Sequence, residues 1–168
     1  AAPLGFGSTT TLALSNIQDR VGNIMPLTQV PVRAPVLTPG FLRADFYTNM
    51  PWHTVDRLTG DPKFPDLYDL TVYRTSSTAP RDFGDNYGLR LWGFFIPPTN
   101  GHYTFYVRSD DESEVFLSPD SDPANKRLVA SQTGSNRAYD DANGNPRFST
   151  VSDLLAGQRY FFEALLQD

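Results

Sequence analysis

No cysteine occurs anywhere in the 168 residues. That excludes disulfides, thiolate metal sites and thiol nucleophiles together, while leaving the compartment open. Basic residues are few and scattered: 14 Lys and Arg stand against 19 Asp and Glu, for a net charge of −5. Nucleic-acid binders concentrate cations into a stripe that neutralises phosphates, and no such stripe exists here. The same acidity repels anionic lipid headgroups. No apolar run approaches the ~20 residues that span a bilayer, so membrane insertion is not expected. Phosphate-cradling glycine loops and a Gly-x-Ser-x-Gly elbow are absent, which leaves catalysis without a motif to support it. The two histidines, His53 and His102, have no partner at metal-ligand spacing in the sequence. A divalent cation suits this charge balance better than any anionic partner.

What is present favours strands. Twelve Phe and eight Tyr supply flat rings that pack on a pleated surface, and 12 Gly with 14 Pro punctuate the chain into short elements. Residues 1–39 stand apart as a Pro-rich arm: Pro3, Pro26, Pro31, Pro35 and Pro39 fall there among few aromatics. Thr9–Leu14 reads as a short strand and Pro26–Pro39 as an extended linker. The opening Ala1-Ala2-Pro3 is compatible with cleavage behind small residues and a secreted or cell-surface location.

From Gly40 onward the pattern changes to a domain over 40–168. Phe41–Thr48, Leu67–Arg74, Gly88–Ile96, Glu114–Ser118 and Lys126–Ala130 read as strands separated by long surface loops. In His102–Arg108, Tyr103, Phe105 and Val107 alternate with polar neighbours, the period of a half-buried strand. With Gly88–Ile96 across a Pro97–Gly101 turn it reads as an antiparallel hairpin. Phe148–Leu155 reads as a brief pairing segment. Arg159–Leu166 is a strand or, because Glu-Ala-Leu-Leu suits helices, a short helix. Trp92, inside the apolar run, is expected to pack in the core. The fold class this implies is all-β: an antiparallel, jelly-roll-like β-sandwich.

The sharpest site candidate is Ser109-Asp110-Asp111-Glu112, between two strands. Calcium takes six to eight oxygens, and adjacent carboxylates in a tight turn can face one ion. A solvated acidic turn is the alternative. Asp141, Asn143 and Asn145 have calcium-loop spacing, but Pro146 stands where that loop needs Gly. Asp56–Asp61 reads as a surface turn. Trp52, in a Pro-rich loop, is the aromatic best placed to stack on a sugar ring.

The run Gly88–Leu117 (GLRLWGFFIPPTNGHYTFYVRSDDESEVFL) resembles the protective-antigen-type "PA-fourteen" domain. Pro97, Gly101, Tyr103-Thr104-Phe105 and Ser109-Asp110-Asp111 carry the likeness in order. Gly40–Tyr47 resembles the family's opening strand and Leu154–Glu163 its late Leu-x-Ala-Gly segment. The resemblance implies a β-sandwich whose lectin members hold Ca2+ on two consecutive Asp residues joined by a cis peptide. By that likeness the ligands are Asp110 and Asp111, which would also bridge to sugar hydroxyls. Family members continue past the final strand with a loop that completes the ion's shell. Gln167 and Asp168 would be its first ligands, and the chain given would lack the family's last loop and strand. The gap could be filled by the N-terminal arm, or by another copy of the chain through strand complementation.

Two functions follow as expectations. One is a calcium-dependent carbohydrate-binding lectin or adhesin module, non-enzymatic, whose partners are glycans or cell-surface polysaccharide. The other is a structural assembly module of an extracellular fibre or multidomain protein.

Overall fold

The computed structural model describes residues 9–33, 39–51, 53–80, 83–133 and 151–168. The chain divides into two compact units, residues 1–39 and 40–168.

In the first unit, β1 (Thr9–Leu14) pairs antiparallel with β2 (Thr28–Arg33), from Thr9 opposite Arg33 to Leu14 opposite Thr28. The stretch expected to be a linker therefore contains a strand, with Pro31 facing Thr11. A two-stranded ribbon can take a proline, because each of its strands has an open edge where a missing N–H breaks no ladder bond. The connection is tightened by Asp19, whose carboxylate accepts from Val21 N at 2.9 Å, Asn23 N at 2.9 Å and Asn23 Nδ2 at 2.7 Å.

The second unit is an antiparallel β-sandwich. Its main layer is a six-stranded sheet built from β3 (Leu42–Thr48), β4 (Leu70–Arg74), β5 (Tyr87–Phe95), β7 (Ser113–Leu117), β8 (Arg127–Gln132) and β10 (Tyr160–Gln167). Its spatial order is β4-β3-β5-β10-β7-β8. A smaller ladder joins β6 (Gly101–Thr104) to β9 (Val151–Leu154). The segment that left strand and helix open, Arg159–Leu166, is a strand, and it lies between β5 and β7.

The expected hairpin of Gly88–Ile96 with His102–Arg108 does not form. Both edges of β5 are already occupied, by β3 and β10. Pro97 and Pro98 supply no N–H to extend the ladder. The turn instead docks on the Ala156-Gly157 turn: Gly157 N donates to Pro97 O at 2.9 Å, and Ala156 N to Asn100 Oδ1 at 2.7 Å. The chain thus passes from the large sheet to the small one. The alternation of Tyr103, Phe105 and Val107 still marks their inward face, since all three pack on the core around Val115, Leu117, Val129 and Tyr160.

The two faces of the large sheet carry different chemistry. Inward, Ala44, Phe46, Tyr87, Leu89 and Leu91 form an apolar cluster. Outward, one register line crosses four strands as Arg43, Trp92, Glu163 and Phe116. Trp92 stands on this outer face, half-buried rather than in the inner core, and donates Nε1 to Asp45 Oδ2 at 2.8 Å. Asp45, buried, also accepts from Arg43 Nε at 2.8 Å and Thr71 Oγ1. Glu163, buried, accepts from Arg90 Nε at 2.7 Å and from Lys126 Nζ. Burying a carboxylate demands such complete pairing. A short helix, α1 (Val55–Thr59), covers part of this face, where Met50, Val55 and Leu58 pack with Tyr47 and Leu165.

Candidate functional site

The Ser109–Glu112 turn lies at one end of the sheet, where β5 begins and β10 ends. Gln167 faces Gly88 across the ladder, and Asp168 and Tyr87 exchange backbone bonds of 2.9 and 2.8 Å. The turn is anchored on every side. Ser109 Oγ donates to Asp111 O at 2.5 Å and bonds Ser113 Oγ at 2.7 Å. Gln132 Nε2 donates to Ser109 O at 2.8 Å, and Gln167 N to Glu112 O at 3.2 Å. Glu112 Oε2 accepts the N–H of Val55 at 2.7 Å, at the start of α1. This is no free-standing solvated loop.

Asp110 is exposed, and Asp111 and Asp168 are half-buried. Their charges are felt together. Burial raises the Asp168 carboxyl above its ordinary value, and Asp111, Asp85 and Asp110 raise it further, while His53 acts the other way. Burial and Asp168 push the Tyr87 phenol up to about 12. His53 Nδ1 lies 3.0 Å from Asp111 Oδ2, a partner 58 residues away that spacing in the sequence does not reveal. Asp85 is not revealed by it either; it lies just ahead of β5, and no local pattern marks it. His102 is exposed and pairs with the equally exposed Asp153.

Three findings bear on a cation. Gln167 is buried, its Nε2 donates to Met50 O at 3.0 Å and Tyr87 O at 3.2 Å, and its Oε1 has no donor among the described residues. Such an orphaned oxygen and an excess of carboxylates suit a hard cation. Yet among the described residues no three His, Cys, Asp or Glu side chains gather closely enough to hold a metal ion. The Asp110–Asp111 peptide also departs from the resemblance: the cis bond among the described residues is Phe64–Pro65. Ser109 and His53 shape the Asp turn instead, through the bonds to Asp111. The residues thus fit calcium in charge and oxygen chemistry, without a gathered shell. Trp52 and the Asp140–Asn145 cluster lie outside the described residues.

The family model described as the PA14 domain matches residues 42–167. The chain belongs to the PA14 domain family. The PA14 match covers the sandwich and not the β1–β2 ribbon. Among curated proteins, the chain is similar to the mouse N-acetyl-beta-glucosaminyl-glycoprotein 4-beta-N-acetylgalactosaminyltransferase 1, 42% identical over 108 residues. Those residues are 62% of this chain and 10% of that protein. It is also similar to mouse Fibrocystin-L, 27% identical over 128 residues (76% of this chain, 3% of the relative). Dog Fibrocystin is 32% identical over 115 residues, 57% of this chain and 3% of the relative. The chain therefore spans a tenth or less of the length of these relatives. No solved structure matches it. No helix among the described residues is long and apolar enough to cross a membrane.

Proposed function

We propose that this PA14 domain is a carbohydrate-binding module of a secreted or cell-surface protein, and that it holds glycans through calcium at Asp110 and Asp111, with Asp168 beside them. The observation that carries this reading is the placing of the anchored Asp110–Asp111 turn at the sheet end where Asp168 and the donor-less Oε1 of Gln167 lie; burial first, and then Asp111, Asp85 and Asp110, raise the Asp168 carboxyl there. Carboxylates that raise a neighbouring carboxyl at a partly buried strand end are a feature that functional sites share. Family membership supports the reading, and so does a relative whose name concerns glycoprotein sugars.

The chain's own residues do three things in this scheme. Asp110 and Asp111 present charge at the sheet end; Ser109, Glu112 and Gln132 hold their turn in place, which lowers the ordering cost of binding. Gln167 ties β10 to the Met50 carbonyl and leaves Oε1 as a further oxygen near the strand end. Trp52 supplies a ring for stacking on the sugar. Calcium, when bound, would ligate sugar hydroxyls directly. Single-site affinity would be modest, and repetition in a parent protein would raise it by avidity. The domain binds rather than catalyses.

Calorimetric titration of calcium into chelator-treated protein tests this, with Asp110→Asn/Asp111→Asn alongside. Saturable binding lost in the double variant, and glycan retention lost with chelator, are the expected results. Absence of calcium binding sinks the ion-mediated mechanism. It would turn attention to the assembly reading, which one observation favours: β4 is an edge strand, and its Leu70 and Tyr73 are exposed. Light scattering that shows a monomer at all concentrations would count against that second reading.

A further inference from the structure

At the opposite end of β5 and β10 the two layers stand apart. Phe95 pairs with Tyr160 there, seven positions from Gly88 and Gln167, which is roughly 24 Å at ~3.4 Å per residue. A cleft of about 560 Å³ opens between the inner face of the large sheet and segment 105–107. Val115, Phe162 and Ala164 form its floor; Phe95, Phe105 and Val107 stand around it. The aromatic walls are braced against collapse. Phe105 meets Phe95 edge-on at 5.4 Å between centroids and leans on Phe162 at 6.3 Å.

Two properties mark this space as a binding cleft rather than loose packing. Interiors are close-packed, and core rings are normally covered, yet Phe95, Phe105 and Phe162 each stay partly exposed. The volume lies in the ~300–1,000 Å³ range of small-molecule sites, which pair apolar walls with a few placed polar groups. Here the polar residues of the lining follow one another where the chain leaves β4: Arg74, then the exposed Thr75, Ser76 and Ser77, with Ser76 Oγ bonded to Thr78 Oγ1 at 2.8 Å. Among the described residues Arg74 is the charged one of the lining, is half-buried, and has no carboxylate partner. In a chain of net charge −5, a half-buried guanidinium at the mouth of an apolar cleft selects an anion locally.

We propose that this cleft binds a small amphipathic carboxylate of the free fatty acid class. The aliphatic chain lies along Phe95, Phe105 and Phe162, and the carboxylate meets Arg74 and the serine hydroxyls. This site is independent of the acidic turn and needs no metal.

The test is calorimetric titration of laurate into the full chain, below the micelle-forming concentration and in EDTA, so that calcium plays no part. Saturable one-to-one binding is expected. Arg74→Gln should weaken it roughly tenfold, the size of one charge-assisted hydrogen bond. Ala164→Phe should fill the floor and abolish binding while the melting transition remains cooperative. Should that variant fail to fold, Val107→Trp blocks the opposite wall and serves the same purpose. Dodecylamine, the same tail with inverted charge, should bind no better than laurate binds Arg74→Gln. Absence of saturable laurate binding would overturn the proposal. So would binding that survives both blocking variants in folded form, or equal binding of dodecylamine. Flotation with phosphatidylglycerol vesicles but no uptake of free laurate would assign the face to a membrane and equally overturn it.

Discussion

Glu112 Oε2 receives the backbone N–H of Val55 at 2.7 Å, so the acidic turn caps a helix that lies 57 residues earlier in the chain. Thr54 stands at the N-cap of α1 and makes no side-chain capping bond of its own. The carboxylate of Glu112 takes over that role and adds a negative charge where the helix end is positive. Glu112→Ala should therefore cost about 1 kcal/mol, the ordinary worth of a lost N-cap. The denaturant midpoint should fall with an unchanged slope. Because Val55 packs with Met50 and Leu58, hydrogen exchange in 50–60 should quicken before exchange in the sheet does. An unaltered midpoint would show that the helix is held by packing alone.

Gly88 is where that helix meets the sheet. A Cβ built there would sit 2.4 Å from Leu58 Cδ1 and 3.2 Å from Leu58 Cγ. Leu58 is fully buried and has little room to retreat. Gly88→Ala should destabilise the domain by about 1–3 kcal/mol through overpacking. Leu58→Ala removes the clash at the expense of a cavity, so the two changes should be strongly non-additive in a double-mutant cycle. Additive losses in equilibrium unfolding would mean that Gly88 is required for another reason.

Most of the strand content was legible because aromatic and β-branched residues alternate between turn residues, and the inward face of Tyr103, Phe105 and Val107 followed from period alone. Strand partners were not legible. Adjacency in sequence suggested that β5 pairs with the next strand, yet both its edges belong to β3 and β10, which are remote in sequence. Pro31 likewise argued against a strand, and a two-stranded ribbon accommodates it. At the acidic turn, residue type located Asp110 and Asp111. It could not reveal His53 or Asp85, whose roles arise only when distant loops meet at the sheet end.

Glu163 is fully buried in β10, between the strand of Arg90 and the approach of Lys126. Two cations therefore share one carboxylate, and Arg90 also lies over the Trp92 ring at 4.9 Å. Glu163→Ala would leave both cations facing each other with their partner removed. The loss should be about 3–5 kcal/mol, as for breaking a buried pair from one side. Glu163→Gln, which keeps the shape and one acceptor, should lose less. Urea midpoints of the two variants decide this, and equal losses would show that charge contributes little there.

Asp168 links the candidate cation site to stability. Its carboxyl is raised above 3.8 first by burial, then by Asp111, Asp85 and Asp110. The folded state thus holds this proton more tightly than the unfolded chain does. The stabilising effect of that proton is complete below the unfolded value and is lost as pH rises through the raised folded value. At neutral pH without calcium, ionised Asp168 burdens the fold, and Asp168→Asn should melt at a higher temperature than the wild type. Below pH 3.8 both carry a neutral side chain, and the gap should close. Calcium should reverse the order at neutral pH, since the ion stabilises the native state by binding it and the Asn variant lacks one carboxylate to hold it. Thermal melts across pH, in chelator and in calcium, read all three effects. A gap that does not vary with pH would show that neither burial nor the neighbouring carboxylates raise Asp168.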